Sequence, residues 1–327
     1  MSSIASANPA PVNPADAGTR STSATSTAAS PAANPHGAAS GLLFGLIGVL
    51  IFSATLPMTR LAVVDLHPVF IAIGRAAVAG IAAALLLAWR RPPWPTRRQW
   101  RLLTETSLGV VVGFPVFSSI AMKYLPASHG AIVTGLLPLA TAVAAVLLSH
   151  ERPSRGFWVC SLLGTALVIA YALSEGGGLT WGDGALLIAV ALGALGYARG
   201  GLLSRDMGGE LVISWALLMF LPLTVGVTLW SVLDGWAFFV APEDVQLNSW
   251  LGFLYVSLFS MWIGFFFWYR GLATGGVARV GQTQLLQPFF TVLLAALMLD
   301  EALTWKTIGF AVAVIVTVAI GRRMQVR

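Results

Sequence analysis

Residues 135–170 read GLLPLATAVAAVLLSHERPSRGFWVCSLLGTALVIA, and residues 284–318 read QLLQPFFTVLLAALMLDEALTWKTIGFAVAVIVTV. Laid together, Leu136, Pro138, Thr141, Ala145, Leu147 and Glu151 recur as Leu286, Pro288, Thr291, Ala295, Leu297 and Glu301, each 150 positions on. Leucine and alanine matches carry little weight in so apolar a chain. Proline, threonine and glutamate in fixed register mark an internal repeat. Each copy is an apolar run long enough to span a bilayer, a short charged turn, and a second such run.

The rest of the chain has the same character. Of 327 residues, 57% are hydrophobic and 10% charged, and mean hydropathy is +0.82. A soluble domain carries about 25% charge, so this composition cannot cover a water-exposed surface. Near-continuous apolar runs, rather than ten-residue alternation, exclude a β-barrel and predict an all-α membrane protein. The runs fall at 41–63, 68–89, 102–122, 129–148 and 157–173, and again at 185–203, 211–233, 250–269, 278–299 and 304–320. That pattern predicts ten transmembrane helices as two five-helix repeats, 41–174 and 185–322. With an odd number of spans per half the second copy is inverted, an architecture of secondary transporters. Residues 1–40, almost all Ala, Ser, Thr, Pro, Asn and Gly, predict a disordered tail with neither the basic nor the apolar region of a signal peptide.

Orientation follows from the arginines. Arg90, Arg91, Arg97, Arg98 and Arg101 lie between the second and third runs. Arg152, Arg155, Arg205, Arg270, Arg279, Arg322, Arg323 and Arg327 fall on the same side if ten spans are right. The other side collects most of the acidic loop residues. The expected location is therefore the cell (inner) membrane, multi-pass, with both termini cytoplasmic.

These motifs resemble the EamA family of the drug/metabolite transporter superfamily. Each repeat of that family ends in a helix with a mid-span proline, a turn with glutamate and a glycine-containing helix, as in the two stretches above. The family's second-helix pattern, a proline seven residues before an arginine among small residues, resembles Pro68 and Arg75 in HPVFIAIGRAAVAG. The second half has no matching arginine and carries Trp215–Leu218 in that region. The resemblance covers 41–320 and implies export or exchange of a small organic metabolite, amino-acid-like or drug-like. A flippase or antiporter of lipid or nucleotide-sugar type within the superfamily, or a non-transporting assembly partner, is the alternative.

Polar residues inside spans are expensive and so are candidates for function. Gln284, Gln287 and Thr291 share one helical face, and Thr134 and Thr141 answer two of them in the first repeat. They either bond neighbouring helices together or line a transport cavity, and the symmetry favours the cavity. Pro138 and Pro288 each remove a helix hydrogen bond and permit bending. Trp262, Phe266 and Tyr269 form an aromatic stripe that is either packing or substrate wall. Arg75 is the deepest charge, flanked by small residues, with a substrate carboxylate or a carbonyl as counterpart. Arg60 and Arg199, near span ends, read as snorkelling. Glu151 and Glu301 read as structural carboxylates at the positive ends of the helices that follow them. Proton coupling through the membrane has two candidates, Glu105 and His129.

No HExxH, GxSxG or Walker motif occurs, so neither an enzyme nor an ATPase is expected, with no catalytic residues, metal or cofactor. The lone Cys160 has no partner for an intramolecular disulfide. The net charge of +6 reflects span-flanking arginines rather than a nucleic-acid surface. The expected partners are a small-molecule substrate and the lipid bilayer, with a homodimer left open.

Overall fold

The computed structural model describes residues 35–149, 155–174, 180–275 and 280–323. Among them every regular element is helical, apart from one isolated bridge between Leu66 and Phe238. In chain order the apolar helices are α1 (Ala39–Ala62), α2 (Pro68–Arg90), α3 (Arg97–Tyr124), α4 (Ala127–Leu148), α5 (Trp158–Tyr171), α6 (Trp181–Met207), α7 (Gly209–Leu233), α8 (Leu247–Gly275), α9 (Thr283–Leu299) and α10 (Trp305–Ile320). Seven of these, α1–α4 and α6–α8, are long and apolar enough to cross a membrane, and α5, α9 and α10 are shorter. The chain is a multi-pass membrane protein.

Local chemistry sets the helix starts. Thr96 and Gln99 form a reciprocal capping box, which begins α3 five residues before the apolar run at 102. Thr180 and Asp183 do the same for α6. At α2, the Nδ1 of His67 accepts from the Val69 N–H, with Pro68 as the first helical residue. That role needs a neutral imidazole. Burial, and then the nearby Lys123 charge, lower the His67 pKa below its ordinary value.

The helices pack in pairs: α1 along α8, α3 along α6, α2 along α7 and α5 along α10, while α4 contacts both α6 and α9, and α9 reaches α1. Between apolar helices in lipid, close approach supplies the packing energy, so glycines sit at the crossings. A Cβ on Gly271 would lie 2.7 Å from the Gly45 backbone nitrogen, and one on Gly109 would lie 2.7 Å from Gly196 Cα. Both partners are backbone and cannot yield.

Four helices depart from regular α geometry. In α3 a π-helical segment, Ser107–Gly113, precedes Pro115. The Pro115 ring cannot accommodate a normal i−4 carbonyl, and the widened turn relieves that clash. Just before it, the hydroxyls of Thr106 and Ser107 bond back to the carbonyls of Leu102 and Leu103. In α8 the π segment is Tyr255–Ile263, and Ser257, 150 positions after Ser107, bonds back to Phe253. In α4 the helix pauses between Thr134 and Leu137, and in α9 a 3-10 segment, Gly281–Leu286, gives way to α-helix at Gln287. Pro138 and Pro288 are the second residues after these interruptions. Lacking an N–H, Pro288 cannot bond the Gln284 carbonyl, which takes the Gln287 N–H in a 3-10 bond instead.

Candidate functional site

The interrupted helices meet around a small, partly open cavity of about 30 Å³. α1 contributes Phe52, Thr55 and Leu56, and α3 contributes Val110, Phe114 and Pro115 from its π region. α2 supplies Arg75, α6 Tyr197, and α8 Ser260 and Phe265. Thr134 and Gln287 complete the wall at the breaks of α4 and α9. Helices from both sequence halves therefore share one site.

Arg75 dominates its chemistry. The residue is 2% exposed, and its Nη2 donates to Ser260 Oγ at 2.9 Å. Ser260 in turn shares a 2.8 Å hydrogen bond with Thr55, so one polar chain ties α2, α8 and α1 together. Arg75 Nε and Nη1 are buried with no hydrogen-bond partner. Among the described residues no carboxylate lines the cavity and none pairs with Arg75. Gln287 Oε1 is a third buried, unpartnered polar atom at the wall. Buried donors without acceptors are costly, and they persist where a ligand or water completes them. Three rings also line it: Phe52 and Phe265 meet edge to face at 5.0 Å, and Tyr197 lies 6.0 Å from Phe265.

Of the residues singled out from sequence, Arg75, Gln287 and Thr134 are brought together here. Gln284 is buried near the α9 break with Nε2 unpartnered, but it lies outside the cavity wall. Thr291 is buried farther along α9, and Thr141 bonds its own helix at the Leu137 carbonyl. The aromatic stripe faces elsewhere. Trp262 Nε1 donates to Ser214 on α7 at 3.1 Å and packs against Phe266, while Tyr269 is fully buried with its hydroxyl toward the Gly196 carbonyl on α6. Phe265, one residue before Phe266, takes the cavity position. Trp262 and Phe266 remain face neighbours on α8, and the stripe's face is taken up by α7 and α6 instead of the cavity. Thr55, Ser260, Tyr197, Phe52, Phe114 and Phe265 were missed from sequence. The hydroxyls of Thr55 and Ser260 and the lone tyrosine inside α6 were the available signals.

The proton-linked candidates are both engaged by partners. Glu105 bonds Arg101 at 3.4 Å and contacts Arg199, so Arg199 is an ion-pair residue rather than a snorkelling one. His129 Nε2 and Asp183 Oδ1 are 2.7 Å apart and buried, joining α4 to α6. Arg60 donates to the Met122 and Lys123 carbonyls at the end of α3, which makes it a helix C-cap. Glu301 departs from its expected place. Instead of serving the helix that follows it, its two oxygens accept the Ala127 and Ser128 N–H groups at 2.7 and 2.8 Å, capping α4. The cap, Arg60 and Lys123 line an open recess of about 600 Å³ at that end of the bundle. Glu151, its repeat mate, lies outside the described residues. No group of three or more metal-ligating side chains occurs among the described residues.

Fold and site together define a multi-pass helical membrane protein with a small cavity among its helices, lined by a buried arginine, hydroxyls and aromatic rings. The model of the EamA-like transporter family matches residues 39–172 and 180–321, and the chain belongs to that family. It is 46% identical over 285 residues to the uncharacterized transporter YdeK of Bacillus subtilis (strain 168), covering 87% of this chain and 97% of the relative. A solved crystal structure at 20% identity superposes with a TM-score of 0.60 over 86% of this chain and 96% of the other, a likeness of fold alone.

Proposed function

We propose that the protein is an inner-membrane secondary transporter that exports or exchanges a small organic metabolite, with the Arg75 cavity as its solute site. The observation that carries the reading is a cavity walled by both halves, whose lining includes a buried arginine and a glutamine amide with unpartnered buried atoms. The proposed architecture is ten spans in two inverted repeats. Exchanging the halves maps the α1–α8 pair onto α6–α3 and the α4–α6 pair onto α9–α1, while α2–α7, α5–α10 and α4–α9 map onto themselves. Ser107 and Ser257, and the breaks in α4 and α9, obey the same exchange. The helices Arg155–Ser174 and Trp305–Arg323, which contain α5 and α10, have 20 and 19 residues. At 1.5 Å per residue each reaches about 30 Å, the thickness of the hydrocarbon core.

With Arg90, Arg91, Arg97, Arg98 and Arg101 facing the cytoplasm, both termini are cytoplasmic. A tag at Arg327 should be reached by a membrane-impermeant label only after the cells are opened. Labelling of intact cells would reverse the orientation.

The test of function is uptake and counterflow by the purified protein in liposomes across a metabolite panel. Gln287→Ala should keep its expression and thermal midpoint yet transport about tenfold more slowly, the loss of roughly one well-placed hydrogen bond to solute. Normal transport by that variant would remove Gln287 from the site. Because Glu105 and His129 are already paired, facilitation or exchange is the proposed energetics. Transport down a solute gradient should then continue after an ionophore collapses the pH gradient.

A further inference from the structure

We infer that the Arg75 cavity selects its solute by an anionic carboxylate head carried on an apolar body, and discriminates against amines. The inference rests on the transporter reading above and sharpens it to a chemical class.

The argument begins with charge. Arg75 is the only ionised side chain in the wall, and no acid compensates it. A guanidinium is a planar fork of N–H donors matched to two carboxylate oxygens. Here Ser260 occupies one arm, and Nε and Nη1 are left with no acceptor. In a medium of low dielectric, an anion entering this site gains charge-assisted hydrogen bonds from groups already held in place. An ammonium meets the opposite situation. It would be repelled by Arg75, and Gln287 Oε1 is the one unpartnered buried acceptor at the wall.

The body of the solute is set by the remaining surface. Phe52, Tyr197 and Phe265 stand within 5.0 to 6.4 Å of one another and turn apolar ring surface toward the cavity. Leu56, Val110 and Phe114 add apolar wall. Such a surface rewards a ring or branched hydrocarbon and offers little to a sugar or a polyol, whose hydroxyls would lose their water.

Three probes with one phenyl body separate the cases: phenylacetate, 2-phenylethanol and 2-phenylethylamine. Binding to the full chain in lipid nanodiscs is read by ligand-induced thermal stabilisation, and transport by the proteoliposome assay. Phenylacetate should bind at least about tenfold more tightly than either other probe, the difference expected of a charge-assisted pair over a neutral contact. Arg75→Gln should erase that preference, and Arg75→Lys should retain part of it. Should Arg75→Gln fail to fold, the ranking on the unmodified protein decides by itself. Equal or tighter binding of the alcohol or the amine would overturn the inference while leaving a transporter that prefers other solutes. Saturable, Arg75-dependent phenylacetate binding without transport of any solute would uphold the anion site and overturn the transporter reading. Binding of none of the three probes would overturn the inference.

Discussion

Arg75→Met is expected to raise the thermal midpoint of the purified protein while reducing transport on the order of 100-fold. The two effects have one cause. Arg75 is a buried cation with a single hydrogen bond, to Ser260, and no counterion among the described residues. Replacing buried charge by an apolar side chain of similar length commonly stabilises a fold by about 1–4 kcal/mol. Methionine fills most of the arginine volume, and Ser260 keeps its bond to Thr55. The lost guanidinium can no longer meet solute. Differential scanning fluorimetry paired with counterflow measures both quantities on one preparation. If Arg75 serves the fold alone, the variant should lose stability and activity together, so a lower midpoint would contradict the assignment of Arg75 to the solute site.

Glu301→Ala should destabilise the protein by about 2–4 kcal/mol, the loss of two charge-assisted hydrogen bonds partly replaced by water from the adjoining recess. The residue before α4 is Pro126, which has no side-chain acceptor and cannot cap the helix itself. The carboxylate from the α9–α10 connection does so instead, at the positive end of the α4 dipole. Glu301→Gln should be intermediate, because an amide has only one acceptor oxygen and turns donors toward the other N–H. Thermal unfolding, with protease cleavage near residues 125–128 as a local probe, would detect the loss. Unchanged stability in Glu301→Ala would show that the cap is dispensable.

The sequence by itself determined the class of protein and its family, because hydropathy and repeat register are local properties of the chain. The Pro138 and Pro288 repeat, the apolar runs and the EamA motif are all readable one segment at a time. Arg75, Gln287 and Thr134 were visible for the same reason, since a polar side chain within an apolar run stands out whatever surrounds it. The tertiary structure alone decided how these residues combine. Thr55, Ser260 and Tyr197 join Arg75 only because α1, α8 and α6 cross α2 at one depth, and no spacing along the chain encodes that crossing. On α8 the cavity position falls to Phe265 because Trp262 and Tyr269 pack on α7 and α6, a choice of face that periodicity alone does not make. Glu301 capped a helix 174 residues away from it in sequence, and His129 found Asp183 across a helix interface. In each case a side chain chose its partner from what packing brought within reach, and packing in lipid is fixed by backbone approach at glycines rather than by any local signal.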